Sequence, residues 1–236
     1  MQKYKFTGKT KEVYGRTLYQ IVCVTAFASV EAGDIGGYIE KEANLSQDGN
    51  AWVSGNAKVY GNAEVYGNAK VYGDAKVYGD AWVSGNAKVY GNAEVSGNAK
   101  VYGNAWVSGN AKVYGNAEVY GNAKVYGNAW VSGNAKVYGN AILRRGFTEK
   151  VTDYIVIGPQ GSRSSFATFH LHSNTVCTGC FVGNLNEFKK SVYKTHNPDR
   201  GEVTFNNQYQ RVIRVFEFLQ EQDKDAQQLE SRVSGN

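Results

Sequence analysis

The sequence predicts a mainly β fold: a parallel β-solenoid preceded by a β cap and followed by a small α+β unit. Three observations predict it. From Ala51 to Ala141 every sixth residue is alanine. Fifteen valines, Val53 to Val137, each stand two places after one of those alanines. Glycine followed by asparagine or aspartate closes every hexad over that span, while proline occurs only twice in 236 residues.

The hexad reads Ala-x-Val-(Tyr/Ser)-Gly-(Asn/Asp), with Lys, Glu or Trp at x. Side chains alternate across a strand, so alanine and valine share one face, and x and Tyr/Ser share the other. Ala57-Lys58-Val59-Tyr60 is then a short strand, and Gly61-Asn62 turns the chain because both residues tolerate positive φ. A period of six cannot hold one apolar stripe on a helix of 3.6 residues per turn. One such unit cannot bury its own apolar face, whereas stacked parallel coils bury a continuous one.

Before the repeats, residues 1–36 read as a cap. Tyr4-Lys5-Phe6 and Leu18 to Val24 are strand-like, and Glu31-Ala32-Gly33-Asp34 is a turn into the first coil. A solenoid end is an unpaired sheet edge and needs covering. The repeat frame reaches past the perfect hexads. Gly37-Tyr38-Ile39 and Ala43-Asn44-Leu45 fit it, with two extra residues among Ser46-Gln47-Asp48, and Ala141-Ile142-Leu143 continues it. Ile39, Leu45, the valines and Leu143 make eighteen hexads over residues 37–143, or six coils at three per coil. At about 4.8 Å per coil the stack is roughly 25–30 Å long. Asparagines before the alanines are placed to form ladders at the corners.

These hexads resemble the hexapeptide-repeat family, which implies a left-handed parallel β-helix with a triangular coil. The stretch Leu18 to Ile39, with Ala32-Gly33-Asp34-Ile35-Gly36-Gly37-Tyr38-Ile39-Glu40, resembles the start of YdcK-type β-solenoid proteins of bacteria and prophages. Those are labelled transferases mainly for their repeats. Many hexapeptide-repeat proteins are trimeric acyltransferases that use a histidine base on the solenoid, and here no histidine precedes His170. Lysine or tyrosine replaces such a base poorly. The reading therefore leans away from acyl transfer, assigns no catalytic residue and expects no cofactor.

The outer wall offers Trp52, Trp82, Trp106 and Trp130 as binding candidates. At three hexads per coil they fall on faces one, three, one and two, so they form no column, and the ten tyrosines of the region are likewise spread over all three faces. A solvated face whose aromatics cover lysine stems is the plainer reading.

From Arg144 the composition changes, and residues 144–230 read as the α+β unit, with 231–236 a polar, frayed tail. Tyr154 to Ile157, Phe166 to Leu171 and Val176 to Val182 read as strands. Asn184 and Glu187 form a capping box opening a helix to about Thr195, which Asn197-Pro198-Asp199 ends. A second helix is expected from about Asn207 to Leu229, its apolar positions spaced three and four apart.

This unit holds the residues that invite chemistry. Gly158-Pro159-Gln160-Gly161-Ser162-Arg163 offers amides, a hydroxyl and a guanidinium to an anion, with Ser162 and Arg163 as candidates; a glycine-proline hairpin turn is the plainer reading. Thr168, His170, Cys180 and His196 are further candidates. His170 and His172 are placed on one strand face near Cys177 and Cys180, a weak zinc pattern, and no metal is expected. Cys180 with His170 or His196 as base is a nucleophile reading of similar weight. The stretch Ile155 to His196, with Ile157 to Arg163, Cys180-Phe181 and Glu187-Phe188, resembles phage proteins of unknown function.

Composition bounds the rest. The net charge of +5 divides as neutral over residues 1–50, +3 over 51–141 and +2 over 142–236, with no lysine-arginine block. That argues against a DNA-mimicking acidic decoy and leaves nucleic-acid binding unspecific. The longest apolar run, Ile21 to Val30, is too short to span a membrane, the N-terminus has no signal core, and three cysteines suit a reducing cytoplasm. The expected function is a non-enzymatic interaction protein of phage type. It binds a host protein or ribonucleoprotein in the bacterial cytoplasm as a counter-defence inhibitor, and it forms homotrimers. Alternatives are an acyltransferase-like enzyme and a small-anion or nucleotide binder.

Overall fold

The computed structural model describes residues 2–162 and 164–234, with side chains as far as residue 225 except at position 151. The chain divides into two compact units. One comprises residues 1–140 with 147–151, and the other residues 141–146 with 152–236.

The first unit is the solenoid. Trp52-Val53 pairs in parallel with Lys70-Val71, which pairs with Lys88-Val89, so one coil takes 18 residues, or three hexads. Ile39 pairs with Val59 and Leu45 with Val65, twenty residues apart, which places the two-residue insertion between Leu45 and Trp52 as expected. Three apolar columns result. Ile39, Val59, Val77, Val95, Val113 and Val131 form one. Leu45, Val65, Val83, Val101, Val119 and Val137 form the second. Val53, Val71, Val89, Val107 and Val125 form the third. Leu143, the last hexad position, falls in the other unit. The alanines from Ala51 and the valines from Val53 have essentially no exposure. Each buried valine contributes on the order of 1.5–3 kcal/mol.

Two kinds of ladder tie the coils at their corners. Asn50, Asn68, Asn86, Asn104, Asn122 and Asn140 form a continuous chain in which each side-chain amide donates to the next residue's oxygen at 2.9–3.3 Å. The hexad glycines turn the chain with positive φ, and those from Gly49 to Gly121 also sit directly against the next coil. At Gly85 (φ +63) a Cβ would lie 2.9 Å from the nitrogen of Gly103.

The cap is a hairpin of β1 (Tyr4–Val13) and β2 (Arg16–Cys23), antiparallel to each other, with β2 antiparallel to β3 (Ile35–Ile39). β1 is longer than expected, because Tyr14 and Gly15 supply a tight turn with positive φ at both positions. β3 is the first strand of the solenoid itself, so the cap continues one of its faces. Coil carbonyls without a coil beneath them are met by donors from the start of the chain. The Lys3 ammonium reaches Ala51 O at 3.0 Å, and the Tyr4 hydroxyl donates to Leu45 O at 2.6 Å.

The second unit is α+β. Strands β4 (Tyr154–Gln160), β5 (Ser165–His170), β6 (Thr175–Thr178) and β7 (Phe181–Gly183) form an antiparallel meander. Helices α1 (Leu185–Thr195) and α2 (Val203–Ser234) complete it. Phe169, Val176, Phe188, Val192, Val212, Ile213 and Phe216 form its core. The Asn184–Glu187 capping box opens α1 as expected. Four expectations are corrected here. The single strand Val176–Val182 is two strands, turned at Gly179 (φ +53) and Cys180. Gly158 and Pro159 lie within β4, and the turn falls at Gly161–Ser164, closed by Ser164 N–H to Gly161 O at 3.1 Å. β5 ends at His170, so His172 lies past the strand rather than on its face. Helix α2 starts at Val203 and reaches Ser234, beyond the expected 207–229. No helix among the described residues is long and apolar enough to cross a membrane.

Candidate functional site

On the solenoid many rings of the outer wall stack on one another. Tyr60 and Tyr78 stack at 5.0 Å with planes 2° apart, Tyr72 and Tyr90 at 4.8 Å, and Tyr102, Tyr120 and Tyr138 form a three-ring stack. These partners are one coil apart, a spacing of eighteen that the sequence already carries. Trp106 lies between the ammonium groups of Lys88 and Lys124, at 4.8 and 4.9 Å from its ring centre. Lys100 covers Trp82 and Lys112 covers Trp130. Trp52 is buried with its ring edge-on to Phe27. Trp52 and Trp106 share one face while Trp82 and Trp130 lie on the other two, as the hexad count predicts, and Trp82 is the most exposed at 43%. Tyr102 also donates to Glu118 at 3.0 Å; burial, then that bond, pushes its phenol up to about 12.

In the second unit the remaining candidates separate. Thr168 is buried, its hydroxyl accepting the Ile142 N–H at 2.9 Å, a backbone anchor. His170 is buried with Nδ1 2.8 Å from Ser173 Oγ. His172 Nε2 lies 3.2 Å from Asp153 Oδ1, and its Nδ1 3.8 Å from Asp223 Oδ2. Cys177 is buried, and burial pushes its thiol up to about 11. Among the described residues no group of three or more His, Cys, Asp or Glu is placed to hold a metal ion. Arg163 lies outside the described residues, so the Ser162–Arg163 anion pair has no described geometry.

Ser162, Cys180 and His196 do come together. They line one cleft of about 130 Å³, along with Ser165, Ser191 and the rings of Phe181, Phe188 and Tyr209. The sequence positions each part for a local reason. Ser162 is exposed on the Gly161–Ser164 turn. That turn is fixed to α2, because Gln208 Oε1 accepts the Gly161 N–H at 2.9 Å. Tyr209 also lies so close that any Cβ on Gly161 would strike its ring. His196 caps the C-terminus of α1 through its N–H to Val192 O, and its own carbonyl accepts from Asn206 Nδ2 at 2.7 Å. Its ring stacks on Tyr209 at 5.3 Å and tilts against Phe205. Nε2 faces Ser162 Oγ at 3.4 Å. Nδ1 is buried without a hydrogen-bond partner, and the Glu202 carboxylate stands 3.6 Å away. Sequence reasoning missed Glu202, since a lone acid ahead of α2 carries no motif.

A second feature lies between α1 and α2. A groove of about 630 Å³ is lined by Lys189, Lys190, Tyr193, Lys194, Ile213, Arg214 and Glu217. Four cations stand against one carboxylate there, and Glu217 is ion-paired to Lys189. Tyr193 is 51% exposed.

Residues 117–133 match the family model described as YdcK Beta solenoid repeat. That match covers about one coil and agrees with the β-solenoid seen here. No curated protein matches the chain.

Proposed function

We propose that this chain is an interaction protein whose α+β unit binds an acidic surface of a host protein, alone or within a ribonucleoprotein. The observation that carries this reading is the groove between α1 and α2. Its excess of cations beside an exposed tyrosine and Ile213 suits an acidic, partly apolar partner, since charge complementarity steers association and aromatic anchors hold it. On the solenoid faces many rings are instead engaged by neighbouring rings and lysines. The phage setting, the counter-defence role and the bacterial cytoplasm belong to this reading through the resemblance of residues 155–196 to phage proteins.

The test uses the full chain against a triple variant, Lys190→Glu, Lys194→Glu and Arg214→Glu. A partner captured from bacterial lysate is identified, purified and titrated directly. The expected result is binding that weakens as salt rises and falls at least about tenfold in the variant, with Trp82→Ser unchanged. Equal affinity for wild type and triple variant rejects the groove as the contact. The reading also includes a homotrimer, and light scattering that gives the mass of one chain rejects that part.

A further inference from the structure

We infer that Ser162, His196 and Glu202 form a serine-nucleophile site for hydrolysis of short-chain carboxylic esters in the α+β unit. The inference is independent of the groove and replaces the expectation that the chain carries no chemistry. It rests on a linear arrangement. Ser162 Oγ lies 3.4 Å from His196 Nε2, and Glu202 Oε2 lies 3.6 Å from Nδ1 on the far side of the same ring. Both distances exceed good hydrogen bonds, as is common before substrate binds.

The orphan on His196 is the second observation. Leaving a buried ring nitrogen unpaired costs about 1–3 kcal/mol, so its retention beside a carboxylate needs a reason. A carboxylate drawn onto Nδ1 fixes the proton there, leaves the Nε2 lone pair toward Ser162 and stabilises the imidazolium formed in the reaction. The backbone bonds of His196 and its ring contacts with Tyr209 and Phe205 hold the ring in that orientation. Ser162 is exposed at the cleft while its turn is pinned by Gln208, which suits an accessible but positioned nucleophile.

The chemistry balances without a co-reactant other than water. Ser162 Oγ attacks the ester carbonyl carbon as its proton passes to Nε2, and the carbonyl π pair moves onto oxygen. The tetrahedral adduct reforms the carbonyl and breaks the bond to the alkoxy oxygen, which takes the proton from Nε2 and leaves as alcohol. Water then attacks the acyl-serine by the same proton route, releasing the carboxylic acid and restoring Ser162. The cleft volume of about 130 Å³ and its Phe181, Phe188 and Val192 walls fit an acyl group of a few carbons.

The probes are p-nitrophenyl acetate and a fluorophosphonate that labels activated serines. With the full chain, we expect turnover and a single fluorophosphonate adduct on Ser162 located by peptide mapping. Ser162→Ala and His196→Gln each lower turnover by at least about a hundredfold and abolish labelling, while Trp82→Ser, on the solenoid, retains both. Glu202→Gln, on a half-exposed side chain, lowers turnover about tenfold without changing the circular dichroism spectrum. Labelling that misses Ser162 or falls on Cys180, or turnover that survives Ser162→Ala, overturns the proposal. Should His196→Gln unfold, the Ser162→Ala and labelling results still decide.

Discussion

The ammonium nitrogen of Lys3 lies 3.0 Å from the carbonyl oxygen of Ala51, on a coil that has no further coil beneath it. Every later coil satisfies such carbonyls with the backbone of a neighbour, as Trp52 N–H does for Ala69 O. At the first coil one lysine takes that role, beside Phe27 at 5.1 Å, and pays a desolvation cost for it.

Lys3→Met, which keeps the stem and removes the donor, is expected to destabilise the chain by about 1–3 kcal/mol. The pH dependence has a fixed sign. Burial, offset in part by Asp48, lowers the Lys3 pKa from 10.5 to about 8. Between those values the unfolded chain holds more protons on Lys3 than the folded one, so the contribution of Lys3 to stability rises with pH. Urea midpoints of wild type and Lys3→Met at pH 7.5 and 10 measure this, and their difference should widen at the higher pH. A difference that narrows contradicts it.

Gly85 and Gly139 share a left-handed backbone but not a neighbour. At Gly85 a Cβ meets the backbone of Gly103, which cannot step aside, whereas at Gly139 (φ +64) there is open space. Gly139→Ala is expected to cost about 1 kcal/mol, the conformational penalty alone. Gly85→Ala adds a clash and should exceed about 2 kcal/mol. Equal losses in thermal unfolding would show that coil contact contributes nothing to the glycine requirement.

The Tyr60–Tyr78 stack is expected to carry coupling. A double-mutant cycle with Tyr60→Ser and Tyr78→Ser, a residue the repeat already uses at this position, should give an interaction energy of about 0.5–1.5 kcal/mol. Additive losses would mean that the parallel rings at 5.0 Å reflect coil spacing and no attraction.

The solenoid was legible because each hexad makes the same choice at every level. Alanine and valine set the face, glycine the turn, and asparagine the ladder, so no single position had to be guessed. The Asn184–Glu187 box was legible for a similar reason, since two side chains three apart close on each other's backbone. The turn at Gly179–Cys180 was not, because the β-forming residues run on either side of it and only one glycine marks the break. Gly158-Pro159 misled in the opposite way: it reads as a turn, yet sits in a strand whose pairing with β5 shifts register between Ile157 and Gln160. The cleft was half legible. Ser162, Cys180 and His196 stood out by type, but their meeting depends on how α1 and α2 return to the β4–β5 turn, which no local pattern encodes.

The register of eighteen sets how such a chain can change length. Losing three consecutive hexads removes a whole coil, and every asparagine and tyrosine downstream still meets a residue of its own column. Losing one hexad leaves alanine and valine inside but rotates all later residues by one face. If that hexad lies between Tyr120 and Tyr138, Tyr120 exchanges Tyr138 for another neighbour. The core is thus indifferent to slips of six, while the tyrosine stacks keep their partners only for multiples of eighteen. Recombination among near-identical hexads is filtered by the outside of this fold and not by its interior.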